Sequence, residues 1–140
     1  MNPDEDGAKR AVHGTLVKVL THRRTDRGMR LEPFASRCVR AGDVHELVAT
    51  DHAETSAGAR IDRVAFLGFA EIAAGGVLDR GDVLWIGGRR IGVLLGFDGC
   101  HLPNHYNVLV RADPGPPRSG GELGLAPEQD LVFRQGRPPD

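Results

Sequence analysis

Residues 79–111 constrain the fold more than any other stretch, because they spell out a hairpin. Asp79-Arg80-Gly81-Asp82 is a turn, Val83-Leu84-Trp85-Ile86 is a short apolar strand, and Gly87-Gly88 supplies the positive φ that a two-residue hairpin turn requires. Residues 89–97 return as the partner strand. A further strand over residues 105–111 follows, so three strands pair as a meander.

The rest of the chain has the same grammar. Residues 13–20 alternate loosely enough for a first strand that ends in the charged run His22-Arg23-Arg24-Thr25-Asp26-Arg27-Gly28. That run reads as a solvated loop, although its three arginines could hold a phosphate or carboxylate. Residues 37–50 fit a short strand, a turn at Ala41-Gly42-Asp43 and a second strand, and residues 51–59 are a polar loop. Residues 61–69 (IDRVAFLGF) are apolar on both faces near their centre, as in a strand buried on both sides. Residues 113–122 are too rich in Pro and Gly to hold a ladder, while Leu131-Val132-Phe133 is short enough for an edge strand tying down the tail.

Glycine reaches 19 of 140 residues and aromatics only 5%, which suits short strands and many turns. No helix beyond about two turns is supported by periodicity. The expectation is an all-β, small, closed or nearly closed β-barrel of seven to nine short strands, since many short strands need their edges managed. One domain is expected over residues 11–134, between a disordered arm over 1–10 and a frayed end over 135–140.

With 18 Lys+Arg against 19 Asp+Glu, the net charge of −1 provides no field to attract nucleic acid or an anionic membrane. No segment approaches the roughly 20 apolar residues of a membrane span. Cys38 and Cys100 are far apart and signal neither a disulfide framework nor a zinc site, so a reduced, cytoplasmic protein is expected. Residues 64–69 and 91–97, apolar on both faces, exceed what one small barrel can bury and suggest a homodimer.

The densest chemistry is Asp98-Gly99-Cys100-His101-Leu102-Pro103-Asn104-His105-Tyr106-Asn107, set between two apolar strands. His101 and His105 stand four apart across Pro103, and on an extended backbone such residues face the same side. Imidazole donates and accepts protons near neutral pH, so the pair with Asp98 suits general acid and base roles. Alternatively these histidines cap strand ends and hydrogen-bond backbone carbonyls. H-x-x-x-H is metal spacing on a helix, but Pro103 argues against a helix, and no metal is assigned. A Cys100 nucleophile is disfavoured because neighbours on a strand point to opposite faces.

A second cluster, Arg37, Asp43, His45, Glu46, Asp51 and His52, reads first as a solvated strand face and loop. By alternation only one of His45 and Glu46 can enter the barrel. Glu71, just after a doubly buried strand, is the preferred partner from outside the main cluster. The catalytic candidates are therefore His101, His105, Asp98 and Glu71, and the substrate-binding candidates are Asn104, Asn107, Tyr106, Arg37 and His45.

The runs Arg37-Cys38-Val39-Arg40, Gly42-Asp43-Val44-His45-Glu46-Leu47, IDRVAFLGF and GFDGCHLPNHYN resemble a small uncharacterised bacterial family over nearly the whole domain. That resemblance implies no activity. More remotely, residues 64–111 resemble the sorbitol-specific IIA component of the sugar phosphotransferase system, a small β-barrel. The shared pattern is a strand, a glycine, a Gly-Asp turn, a strand pair through Gly-Gly, and a His before another strand. That family's phosphoacceptor histidine falls where Gly68, Phe69 and Ala70 stand here, so no imidazole is present for a phosphoryl relay.

The first functional expectation is a cofactor-free biosynthetic enzyme acting by acid/base chemistry, of isomerase, cyclase, dehydratase or hydrolase type, on a small metabolite at the barrel mouth. No glycine-rich loop opens a helix, so no nucleotide cofactor is expected. The alternative is a non-catalytic metabolite- or sugar-binding module, or a phosphotransferase-like carrier. A metal-dependent cupin-like enzyme comes third, because H-x-H with a following Glu at short spacing is absent.

Overall fold

Apolar runs divided by glycine turns fold into strands alone among the residues that the computed structural model describes, 7–99, 107–112 and 115–136. In chain order these are β1 (Val12–Val19), β2 (Arg23–Arg24), β3 (Met29–Arg30), β4 (Ser36–Val39), β5 (Val44–Thr50), β6 (Arg60–Ile61), β7 (Val64–Ala74), β8 (Gly76–Asp79), β9 (Val83–Ile86), β10 (Arg89–Asp98), β11 (Asn107–Ala112) and β12 (Asp130–Arg134). Among the described residues no helix is long and apolar enough to cross a membrane.

Seven strands close a barrel in the order β1-β12-β9-β10-β11-β5-β7, with β7 pairing back to β1. This is the small all-β barrel expected from the sequence. All neighbours in the ring are antiparallel except β11 and β5, which run parallel from Asn107 opposite Glu46 to Arg111 opposite Thr50. The short β2 pairs with β7 at Arg23–Ala65 and Arg24–Val64, extending the line of β1 along the same strand. Gly87 and Gly88 have φ of 58° and 79°, the two positive values of a type I′ turn, and the β9-β10-β11 meander forms as read.

Closing so few strands forces backbones close together at bends. A Cβ on Gly68 would lie 2.1 Å from the Lys18 carbonyl oxygen, and one on Gly92 would lie 2.2 Å from that of Arg111. A register shift between Leu16 and Lys18 on β1 accompanies the first approach, and at Gly92 the ladder to β9 shifts between Arg90 and Gly92. Only glycine fits there.

The chain has two cores. Leu16, Leu47, Leu67, Leu84, Leu94, Phe97, Val108 and Phe133 fill the barrel interior together with smaller neighbours. A second cluster lies on the outer face of the sheet, where Met29, Leu31 and Ile61 cover Val48, Val64, Phe66, Leu95 and Leu109. The strands β3 and β6 that carry part of this cover pair with each other, Met29 opposite Ile61. The apolar surplus of residues 64–69 and 91–97, which suggested a homodimer, is thus buried to a large extent within one chain.

Two expectations need correction. Leu131-Val132-Phe133 is not an edge strand, because β12 is hydrogen-bonded to β1 on one side and β9 on the other. Without it the ring would open along two edges. The turn at residues 41–43 forms, with the Asp43 amide donating to the Arg40 carbonyl at 3.1 Å, but the strands on either side of it separate. β4 pairs with β8 as a two-stranded sheet, while β5 enters the barrel.

Of the arm expected over residues 1–10, residues 7–10 fall within the described chain. Lys9 Nζ donates to Asp79 Oδ2 at 2.8 Å, Asp82 Oδ2 at 2.5 Å and the Val77 carbonyl at 3.0 Å. Gln135 Nε2 donates to the Gly7 carbonyl at 3.1 Å, so this segment is fastened at two points.

Candidate functional site

Asp98 ends β10 and Asn107 opens β11, and the two are directly opposite across the ladder. Paired residues present side chains on the same face, so both project outward from the sheet, next to the second core. Both are buried, Asp98 at 0% and Asn107 at 1% exposure. A carboxylate out of water must be hydrogen-bonded. Asn107 Nδ2 donates to Asp98 Oδ2 at 3.1 Å, and the Arg30 backbone amide approaches Asp98 Oδ1 at 3.4 Å. The Glu32 amide donates to the Phe97 carbonyl at 2.8 Å, which lays the chain after β3 over the end of β10.

Asn107 is opposite Glu46 on β5, so Asp98, Asn107 and Glu46 form one polar row across three strands. Buried Asn107 Oδ1 has no hydrogen-bond partner among the described residues. The sequence between Asp98 and Asn107 carries Cys100, His101, Asn104, His105 and Tyr106. These residues lie outside the described part of the chain, so the expected convergence of His101 and His105 lies outside it too.

The remaining candidates separate. His45 and Glu46 face opposite sides as alternation requires, and it is His45 that enters the barrel, on the face of Leu47 and Ala49. Its Nε2 lies 3.8 Å from Asp43 Oδ2, and the residue is 6% exposed. Arg37 belongs to the small β4–β8 sheet, opposite Leu78. Glu71 is exposed on the outer face of β7, between the core residues Ala70 and Ile72. Three strand spacings of about 4.8 Å separate β7 from β10, so Glu71 is too distant to orient an imidazole beside Asp98. Its place in the sequence suggested a barrel mouth, but the register turns it to solvent. Glu46, read with the second cluster as a solvated face, stands instead in the row opposite Asn107; alternation along β5 gives its outward side, but its pairing with β11 left no mark in the sequence.

A second polar centre was not foreseen. Asp79 accepts from Lys9 and from the Ser36 hydroxyl, and the Asp79 amide donates to Asp82 Oδ2 at 2.9 Å. Burial alone would lower the Lys9 ammonium, but its bonds to the two carboxylates outweigh that and hold its pKa above the ordinary value. Burial raises the Asp82 carboxyl despite its contact with Lys9, whereas for Asp79 the Lys9 and Ser36 bonds prevail over burial and lower it. Among the described residues no group of three or more His, Cys, Asp or Glu could hold a metal ion.

The molecule is thus a closed seven-stranded barrel with a buried Asp98–Asn107 pair at the end of the β10–β11 ladder. The chain belongs to DUF6917, a family of unknown function that matches residues 6–134. Comparisons with curated proteins and with solved structures found no match. The likeness to the sorbitol-specific IIA component is not among these findings, and Gly68, in the stretch where that family has its phosphoacceptor histidine, has no room for a side chain.

Proposed function

We propose that the protein binds a small metabolite at the end of the barrel where β10 and β11 meet, and performs cofactor-free acid/base chemistry there. The observation that carries this reading is the fully buried Asp98 carboxylate, held by Asn107 at the root of a loop containing two histidines. A hairpin end needs turn residues, not a carboxylate withdrawn from water. Such a group is suited to fix the tautomer and orientation of one imidazole, leaving the other to exchange a proton with substrate. Asn107 Oδ1 adds an acceptor for a ligand hydroxyl or amide. An exposed free thiol at Cys38 fits a reducing cytoplasm.

The test is a ligand-observed NMR screen of small hydroxylated and carbonyl metabolites, with each hit then followed for turnover. His101→Ala and His105→Ala should each fold and melt near the parent temperature, yet lower turnover by about 10²- to 10⁴-fold. Cys100→Ser should keep it. A hit that is bound and left unchanged by the parent protein would make this a binding module, and hits indifferent to both histidines would refute the site.

A further inference from the structure

The charged run read from the sequence as a solvated loop borders the mouth of a pocket of about 900 Å³. Arg23, Arg24 and Arg63 line it with Thr25, and Asp26 is the one acidic residue in the described lining. Two of the three guanidinium groups each have one acidic partner. Arg23 Nε lies 3.2 Å from Glu122 Oε1, and Arg63 Nη1 donates to Asp51 Oδ2 at 2.9 Å. Each contact uses a single nitrogen, so most of the donors of both forks stay available. The Arg24 guanidinium has no hydrogen-bond or charge partner among the described residues.

The frame around these arginines is fixed. β2 is paired to β7, which sets the backbone of Arg23 and Arg24 against Ala65 and Val64. Pro117, buried, also lines the pocket, and beyond it in the chain Ser119 and Glu122 cap each other at 3.1 and 3.2 Å. The Glu122 carboxyl that partners Arg23 is lowered, first by its bond from the Ser119 amide, so it stays charged through the neutral range. This place is distinct from the row of Asp98. That row meets β7 at Phe69, whereas the pocket borders Val64, about 16 Å away at about 3.3 Å per residue.

We infer that this pocket is a binding site for the oxyanion group of a small molecule, a phosphate or a carboxylate, with Arg24 and Arg63 as its principal donors. Planar guanidinium groups match both anions through paired N–H bonds, and the Thr25 hydroxyl adds a neutral donor at the rim. The pocket is open to solvent, so binding should weaken as salt rises.

The experiment is an amide NMR titration at low ionic strength with inorganic phosphate and, separately, with citrate. Saturable shifts at Thr25, Asp26, Arg63 and Val64 are expected with at least one of them. Phosphate alone would assign a phosphorylated ligand, citrate alone a carboxylate, and both the shared oxyanion chemistry. Arg24→Ala and Arg63→Ala should each weaken binding about tenfold. Arg40→Ala removes an equal charge from an 88% exposed side chain elsewhere and should change nothing. The inference is overturned if neither anion saturates at these amides, if both pocket variants bind as the parent does, or if Arg40→Ala weakens binding equally.

Discussion

Lys9 shows how one side chain can hold a segment that composition assigns to disorder. Its ammonium joins Asp79 and Asp82, some 70 residues away, and such a contact leaves no local pattern to read. By contrast, Asp98 and Asn107 stood in a stretch the sequence marks out, because seven reactive side chains between two apolar strands are more than a turn requires. The Lys9 network has a defined pH signature. A lysine raised above its ordinary 10.5 contributes stability that is complete below that pH and lost as pH rises through the folded value. On the acid side, lowered Asp79 loses stability as pH falls below its ordinary 3.8, while raised Asp82 gains on protonation, so the two partly cancel. Lys9→Met should therefore abolish the alkaline loss, and, because burial then acts on Asp79 and Asp82 without their cation, should shift both carboxyls upward so that the variant gains stability as pH falls. Urea denaturation of both proteins from pH 8 to about pH 11 measures it, and parallel curves above pH 10.5 would show that Lys9 contributes nothing.

Strands and turns were legible wherever a local rule governed them. Gly87-Gly88 states its turn outright, and β10 follows from it. What the sequence could not convey was who pairs with whom: β12 looks like an edge because it is short, and β4 looks like the mate of β5 because only a turn divides them. Pairing is set by ring closure, a property of the set of strands. The glycines record that closure, and they do so in two distinguishable ways. At Gly88 no atom lies within 4 Å of the place a methyl would take, so Gly88→Ala meets only the penalty of positive φ, about 1 kcal/mol. At Gly68 the methyl would meet the Lys18 carbonyl of the neighbouring strand, and Gly68→Ala should cost about 3 kcal/mol or more as β1 is pushed from β7. Equal midpoints for the two variants in thermal unfolding would contradict this account of the barrel's closure.

At the level of the molecule, two cores share one wall. The faces of β5, β7, β10 and β11 that turn away from the barrel are covered by Met29, Leu31 and Ile61, supplied largely by two-residue strands. Two-faced apolar strands were readable in the sequence. Their cover was not, since two-residue strands have no periodicity, and the surplus was therefore assigned to a partner. This outer layer rests on few backbone bonds, such as the Leu31 amide to the Ala59 carbonyl at 3.0 Å, and should open without the barrel. Hydrogen exchange should show the Leu31 and Gly58 amides protected well below those of Leu94 and Val108, with identical protection counting against a separable layer.

The bond from Gln135 to Gly7 acquires a wider meaning once the strands are seen to form a ring. Residues 7 and 135 lie side by side, so the path from β1 to β12 returns to where it started. A ring of pairings has no privileged first member. The architecture is indifferent to the place at which its linear order is cut, and circular rearrangement of the gene, with a short linker across this seam, would preserve every pairing that closes the barrel.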